Sequence, residues 1–148
     1  MNKKRKHQWA VNIDKLRVCL NMPENLYEYL HEHYSIYDEL SKSRILDEDD
    51  FNLVFIDEDE TAMTAVLNVK DIDGYYRLGT FTFRNSNKYK DKAFFSFENC
   101  ALYRRYTRNP NVLPQNHICD LLYVANYYGM TFNNVTELEL AFDSTYNY

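Results

Sequence analysis

With 148 residues, 45% of them hydrophobic and 16% aromatic, and only three glycines and three prolines, the chain is long enough for a packed core, and its composition excludes disorder and a loop-dominated disulfide scaffold. Cys19, Cys100 and Cys119 form no C-x-x-C pair, Lys3-Lys4-Arg5-Lys6 runs into His7, Gln8 and Trp9 instead of an apolar leader, and no apolar run reaches spanning length, so one cytoplasmic domain without a membrane partner is expected. The net charge of −5 hides a segregation: residues 21–73 hold fifteen carboxylates against three cations, residues 77–108 hold eight cations against two carboxylates, and overall acidity therefore does not exclude nucleic acid.

Gln8 to Leu20 carries Ile13, Leu16, Val18 and Leu20, and its second half alternates, which predicts a first strand. Pro23 suits the first turn of a helix, and Leu26, Tyr29, Leu30 and His33 recur at helical spacing through about Leu40. Asp47 to Asp50 reads as a solvated loop. Phe51 to Ile56 and Thr61 to Val69 read as strands joined across Asp57-Glu58-Asp59-Glu60. Asp73-Gly74 is a hairpin signal leading into Tyr75 to Phe83, and Asn85-Ser86-Asn87-Lys88 connects to a strand from Ala93 to Phe97. Pro114 can open a second helix with Ile118, Leu121, Leu122, Ala125 and Tyr128 on one apolar face, and Gly129 is placed to close it. A strand from Val135 to Asp143 comes last. The expected fold is α+β, an antiparallel sheet of about six strands with two helices on one face, in the order β-α-β-β-β-β-α-β.

The last strand reads V-T-E-L-E-L-A-F-D. Successive side chains of a strand point to opposite faces, so Leu138, Leu140 and Phe142 turn to a side expected to be buried, while Glu137, Glu139 and Asp143 share the other. That acidic row fits either the solvated side of an amphipathic strand or a carboxylate site for a divalent cation. Tyr103-Arg104-Arg105-Tyr106-Thr107-Arg108 interleaves rings with guanidinium groups, a pattern that holds single-stranded nucleic acid by stacking and phosphate neutralisation; its structural alternative is a solvated loop with tyrosines packed on the sheet. Lys88, Lys90 and Lys92 lie across a hairpin tip, where lysines serve phosphate binding or solubility. His31-Glu32-His33 does not form a metal pair, because residues two apart on a helix diverge by about 200°.

The segment I-D-K-L-R-V (Ile13 to Val18), a meander ending in F-S-F-E-N-C-A-L (Phe95 to Leu102), and a helix feeding into V-T-E-L-E-L-A-F-D resemble the amino-terminal region of rolling-circle replication initiation factors of plasmids, phages and mobile elements. Members typically carry a strand T-R-x-D-x-A-x-D. Thr136, Ala141 and Asp143 match it, Glu139 replaces the first Asp, and Glu137 replaces the Arg with the opposite charge. The resemblance implies a DNA partner, single-stranded or an origin hairpin, and strand nicking by a tyrosine with Mg²⁺ or Mn²⁺ held by carboxylates. Glu139 and Asp143 are then the metal candidates, with Glu137 a third. Residues 139 and 143 lie about 13 Å apart on a regular strand, so one ion is more readily shared by Glu137 and Glu139, or by Asp143 and another strand. No nucleophile is assigned among the 14 tyrosines, and the family's nicking residue usually lies carboxy-terminal to this region, so the chain reads as the N-terminal part of a longer initiator. Two other readings remain open: a non-catalytic single-stranded nucleic-acid module, and a phage or mobile-element interaction component. No Walker loop, dinucleotide fingerprint, nucleophile elbow or zinc motif is present.

Overall fold

The computed structural model describes residues 6–37, 44–71, 74–98 and 114–147. Their order is β1 (Lys6–Asn21), α1 (Leu26–Tyr34), β2 (Ile45–Asp47), β3 (Phe51–Glu58), β4 (Ala62–Asp71), β5 (Gly74–Arg84), β6 (Lys92–Phe97), α2 (Pro114–Tyr127) and β7 (Thr131–Asn147). The strands form one antiparallel sheet with lateral order β2-β3-β4-β5-β6-β1-β7. This is the expected α+β arrangement with one strand more. Ile45–Asp47 pairs with Asn52–Val54 on β3, so Asp47 belongs to a short edge strand instead of the loop assigned to it, and the loop narrows to Glu48–Asp50.

Alternation along the strands separates the sheet into two unlike faces. Phe51, Leu53 and Phe55 of β3, Met63, Ala65 and Leu67 of β4, Phe81 and Phe83 of β5, and Ala93 and Phe95 of β6 are buried in one cluster with Val18 and Leu20 of β1. Both helices pack on this side. Tyr34 of α1 stacks on Phe55 at 5.3 Å between ring centroids, and Phe51 meets Tyr127 edge-on at 5.5 Å. Each large side chain so buried contributes roughly 1.5–3 kcal/mol relative to exposure. Among the described residues, no helix is long and apolar enough to cross a membrane.

Turn chemistry fixes the helix and hairpin ends. Gly129 adopts a left-handed φ of 74° after α2, where its N–H donates to the Asn126 carbonyl at 3.0 Å and the Met130 N–H donates back to Ala125 at 2.8 Å. That pair satisfies carbonyls a helix end otherwise leaves unpaired. The β4–β5 hairpin closes on the Asp71–Gly74 pair, with Gly74 at φ 123°, a conformation open chiefly to glycine.

Helix phase differs from the sequence expectation in both helices. On α1 the buried positions are Tyr27 and Leu30, while Tyr29 is exposed and the helix ends at Tyr34. On α2 His117, Leu121, Val124 and Ala125 face the core and Leu122 is exposed. The larger correction concerns β7. Leu138, Leu140 and Phe142 turn to the helix-bearing side but are 53%, 48% and 67% exposed, β7 being the outermost of the described strands.

Two consequences are measurable. A Cβ at Gly79 would run into the Ser96 carbonyl oxygen and come within 2.6 Å of the Phe95 ring, so Gly79→Ala is expected to destabilise the fold by about 1–3 kcal/mol in urea denaturation. Burial, reinforced by the Glu48 carboxylate, holds the Tyr128 hydroxyl far above the ordinary tyrosine range, and burial also raises Tyr27 and Tyr34. Unfolded tyrosines ionise near pH 10 while these stay protonated, so stability should hold up to that pH and fall as it is exceeded. Tyr128→Phe should flatten the fall in urea midpoints measured from pH 8 to 11.

Candidate nucleic-acid interface

The face opposite the helices carries the chemistry. Cross-strand partners point to the same side of a sheet, and one lateral row runs Glu137, Arg17, Ser96, Thr80 and Val66 from β7 to β4. Stepping by two along each strand adds Lys15 on β1, Thr82 and Arg84 on β5, and Lys92 and Phe94 on β6. Arg77 joins them beyond the bulge in β5, since its Nη2 donates to Thr80 Oγ1 at 3.2 Å. Lys15, Arg17, Arg77, Arg84 and Lys92 therefore share, with hydroxyl side chains, a sheet face that neither described helix covers.

The carboxylates on this face neutralise only part of that charge. Arg77 Nε lies 2.7 Å from Glu98 Oε1. Lys15 Nζ sits between Glu137 and Glu139, 4.0 Å and 3.9 Å from their oxygens, with all three side chains about half exposed. Arg17, Arg84 and Lys92 have no carboxylate within ion-pair distance among the described residues. Two of them lie over Phe94, with the Arg17 guanidinium 4.6 Å and that of Arg84 5.8 Å from the ring centre. Lys92 donates to Asn21 Oδ1 at 2.5 Å, and Asn133 Nδ2 donates to the same oxygen at 2.9 Å. Arg84 and Lys92 are direct cross-strand partners, a like-charge pair that disfavours the sheet unless an anion joins it. At one end of this face, where β6 stops and β1 continues, a cleft of about 220 Å³ is lined by Lys15, Leu16, Arg17, Ser96, Phe97 and Glu137.

The residues nominated from sequence divide into three groups. Glu137 and Glu139 lie on the open face, as the alternation implies; Asp143 pairs through its backbone with Ala10, and its side chain lies outside the described residues. Lys92 joins the cation cluster, whereas Lys88 and Lys90 belong to the β5–β6 connection, with Lys88 Nζ 5.2 Å from the Tyr89 ring centre. Tyr103, Arg104, Arg105, Tyr106 and Arg108 lie outside the described residues. Sequence reasoning missed Lys15, Arg17, Arg77 and Arg84. Their signal was available in the alternation of Lys15-Leu16-Arg17-Val18 and in the placing of Arg84 and Lys92 on either side of one hairpin.

Glu137 and Glu139 already share the Lys15 ammonium, and no group of three histidine, cysteine, aspartate or glutamate side chains with metal-site spacing occurs among the described residues. His31 lies instead beside Glu58 at 3.8 Å, whose other partner is the Ser35 hydroxyl, which donates at 2.7 Å, and His33 packs on Tyr29 at 4.6 Å. On the helix side, Tyr76 donates to Asp120 Oδ2 at 3.0 Å and lies 3.2 Å from His117 Nδ1. Tyr123 and Tyr127 of α2 donate to Asp50 and Glu48, which ties the acidic loop to the helix and raises both phenols through those bonds. Two carboxylates of the acidic segment, Glu48 and Asp50, are thereby engaged away from the cationic face.

Comparison with known proteins finds no matching family, no matching curated protein and no matching solved structure. The reading of function rests on the residues and their geometry.

Removing one member of the like-charge pair should help the free protein. Arg84→Thr is expected to raise stability by about 0.2–1 kcal/mol at low salt, with the gain shrinking in high salt, measured by urea denaturation at both ionic strengths.

Proposed function

We propose that the chain binds nucleic acid across the helix-free face of its sheet, as the DNA-binding portion of a rolling-circle replication initiator. The observation that carries the binding is the cluster of Arg17, Arg84 and Lys92 around Phe94, without carboxylate partners among the described residues. Cations opposed across a sheet are a cost in the free protein, and a phosphodiester backbone supplies the missing charge. Thr80, Thr82 and Ser96 offer neutral hydrogen bonds to phosphate or sugar oxygens beside them. The guanidinium groups of Arg17 and Arg84 beside Phe94 offer bases cationic groups to stack against. Such contacts hold a backbone with little preference for sequence.

The initiator setting is supported by the resemblance of Ile13–Val18 and of the strand holding Glu137, Glu139 and Asp143. Lys15 favours a narrower version, in which these acids position a lysine at the edge of the DNA-binding face and nicking chemistry belongs elsewhere. No step of a nicking reaction is assigned to them.

The test is binding of a labelled single-stranded oligonucleotide and of a hairpin, followed by fluorescence anisotropy across a salt series. If three cations each neutralise one phosphate, the logarithm of the binding constant should fall with the logarithm of salt at a slope of about −2. Arg17→Ala with Arg84→Thr should weaken binding and bring the slope to about −0.7. A preference for the hairpin supports the initiator setting, and equal binding supports the plain nucleic-acid module. Absence of binding at low salt, or binding indifferent to the double substitution, overturns the proposed face.

A further inference from the structure

We infer that the outer edge of β7 is a docking site for an extended polypeptide segment that alternates basic and large apolar residues and adds to the sheet as a further strand. β7 runs from Thr131 to Asn147 and, among the described residues, hydrogen-bonds on one side only, to β1. Its other edge presents a row of backbone donors and acceptors, the usual template for strand addition. The side chains along it are equally unpartnered. Phe132, Val135, Leu138, Leu140 and Phe142 are between 46% and 67% exposed. An apolar row of this length beside an open edge marks an interaction surface.

The inner partner shows what chemistry this strand accepts. β1 sets Lys15 opposite Glu139 and Arg17 opposite Glu137, and between them Leu16 opposite Leu138, with Val18 opposite Val135. β7 therefore pairs with a strand of alternating cations and hydrophobes on the side that is filled. Its outer edge displays the same residues. Glu137 and Glu139 share a single lysine among the described residues, which leaves this pair with one negative charge beyond what Lys15 balances. A second copy of β7 paired antiparallel about Leu138 would set Glu137 directly against Glu139, and like charges opposed across a sheet are unfavourable. A basic and apolar strand meets both faces at once: its cations reach the two glutamates while its hydrophobes cover Leu138, Leu140 and Phe142. This inference does not depend on nucleic-acid binding.

The experiment uses the full chain with a labelled peptide of about ten residues that alternates Lys or Arg with Leu or Val, and a second peptide with Glu in place of each cation. Anisotropy gives affinity, and amide hydrogen exchange locates the contact. The cationic peptide should bind at least about tenfold more tightly than the acidic one and should slow exchange along β7. Glu137→Lys with Glu139→Lys should invert that preference, with circular dichroism confirming that the variant is folded. Equal binding of the two peptides to the unsubstituted chain, no binding of either, or protection remote from β7 overturns the proposal without recourse to a variant. Concentration-dependent protection of β7 in the absence of peptide overturns it as well, in favour of self-association.

Discussion

One-sided burial of the sheet is the constraint from which the other features follow. Phe51, Leu53 and Phe55, with their neighbours on β4 to β6, can leave water only if something covers them, and α1 and α2 both settle on that side. The opposite side must then be tolerable to solvent. It is, because many of its residues are threonines, serine, asparagines and cations with long apolar stems, and because the Phe94 ring lies under the guanidinium groups of Arg17 and Arg84. Where charge collects on that side, it collects on strands β1, β5 and β6, which lie next to one another in the sheet.

The same arrangement accounts for the unequal fates of the acidic residues. Glu48 and Asp50 of the acidic loop are drawn to the helix side by tyrosine hydroxyls of α2, so that loop and the cationic face point apart. Glu137, Glu139 and Glu98 instead sit at the margins of the cation cluster and are balanced by Lys15 and Arg77. What remains unbalanced is central. A protein with a net charge of −5 thus keeps a locally positive patch, and the proposed binding of a polyanion there would answer to the local field more than to the sum.

Much of the fold was legible because strand alternation and turn residues are local signals. Gly129 and Gly74 sit where left-handed backbone is required, and six of the seven strands follow from period-two patterns. The three-residue β2 gave no period to read and was taken for loop. Helix phase was misjudged on α1 because tyrosines and histidines occur on both of its sides, so hydrophobicity alone could not choose Tyr27 over Tyr29. Alternation correctly placed Leu138, Leu140 and Phe142 on one face, but it cannot say whether another element covers that face; lateral strand order decides that, and it is a long-range property. The same holds for the cation cluster, since Arg17, Arg84 and Lys92 meet only through the pairing of β1 with β6 and β6 with β5.

The most direct measurement of the central claim is amide chemical-shift mapping by NMR while a single-stranded oligonucleotide is added at low salt. The account predicts that the largest shifts fall at Lys15, Arg17, Thr82, Arg84, Lys92 and Ser96, and that α1, α2 and the Glu48–Asp50 loop stay unmoved. Shifts concentrated on the helices, or spread evenly over both sides of the sheet, would contradict it.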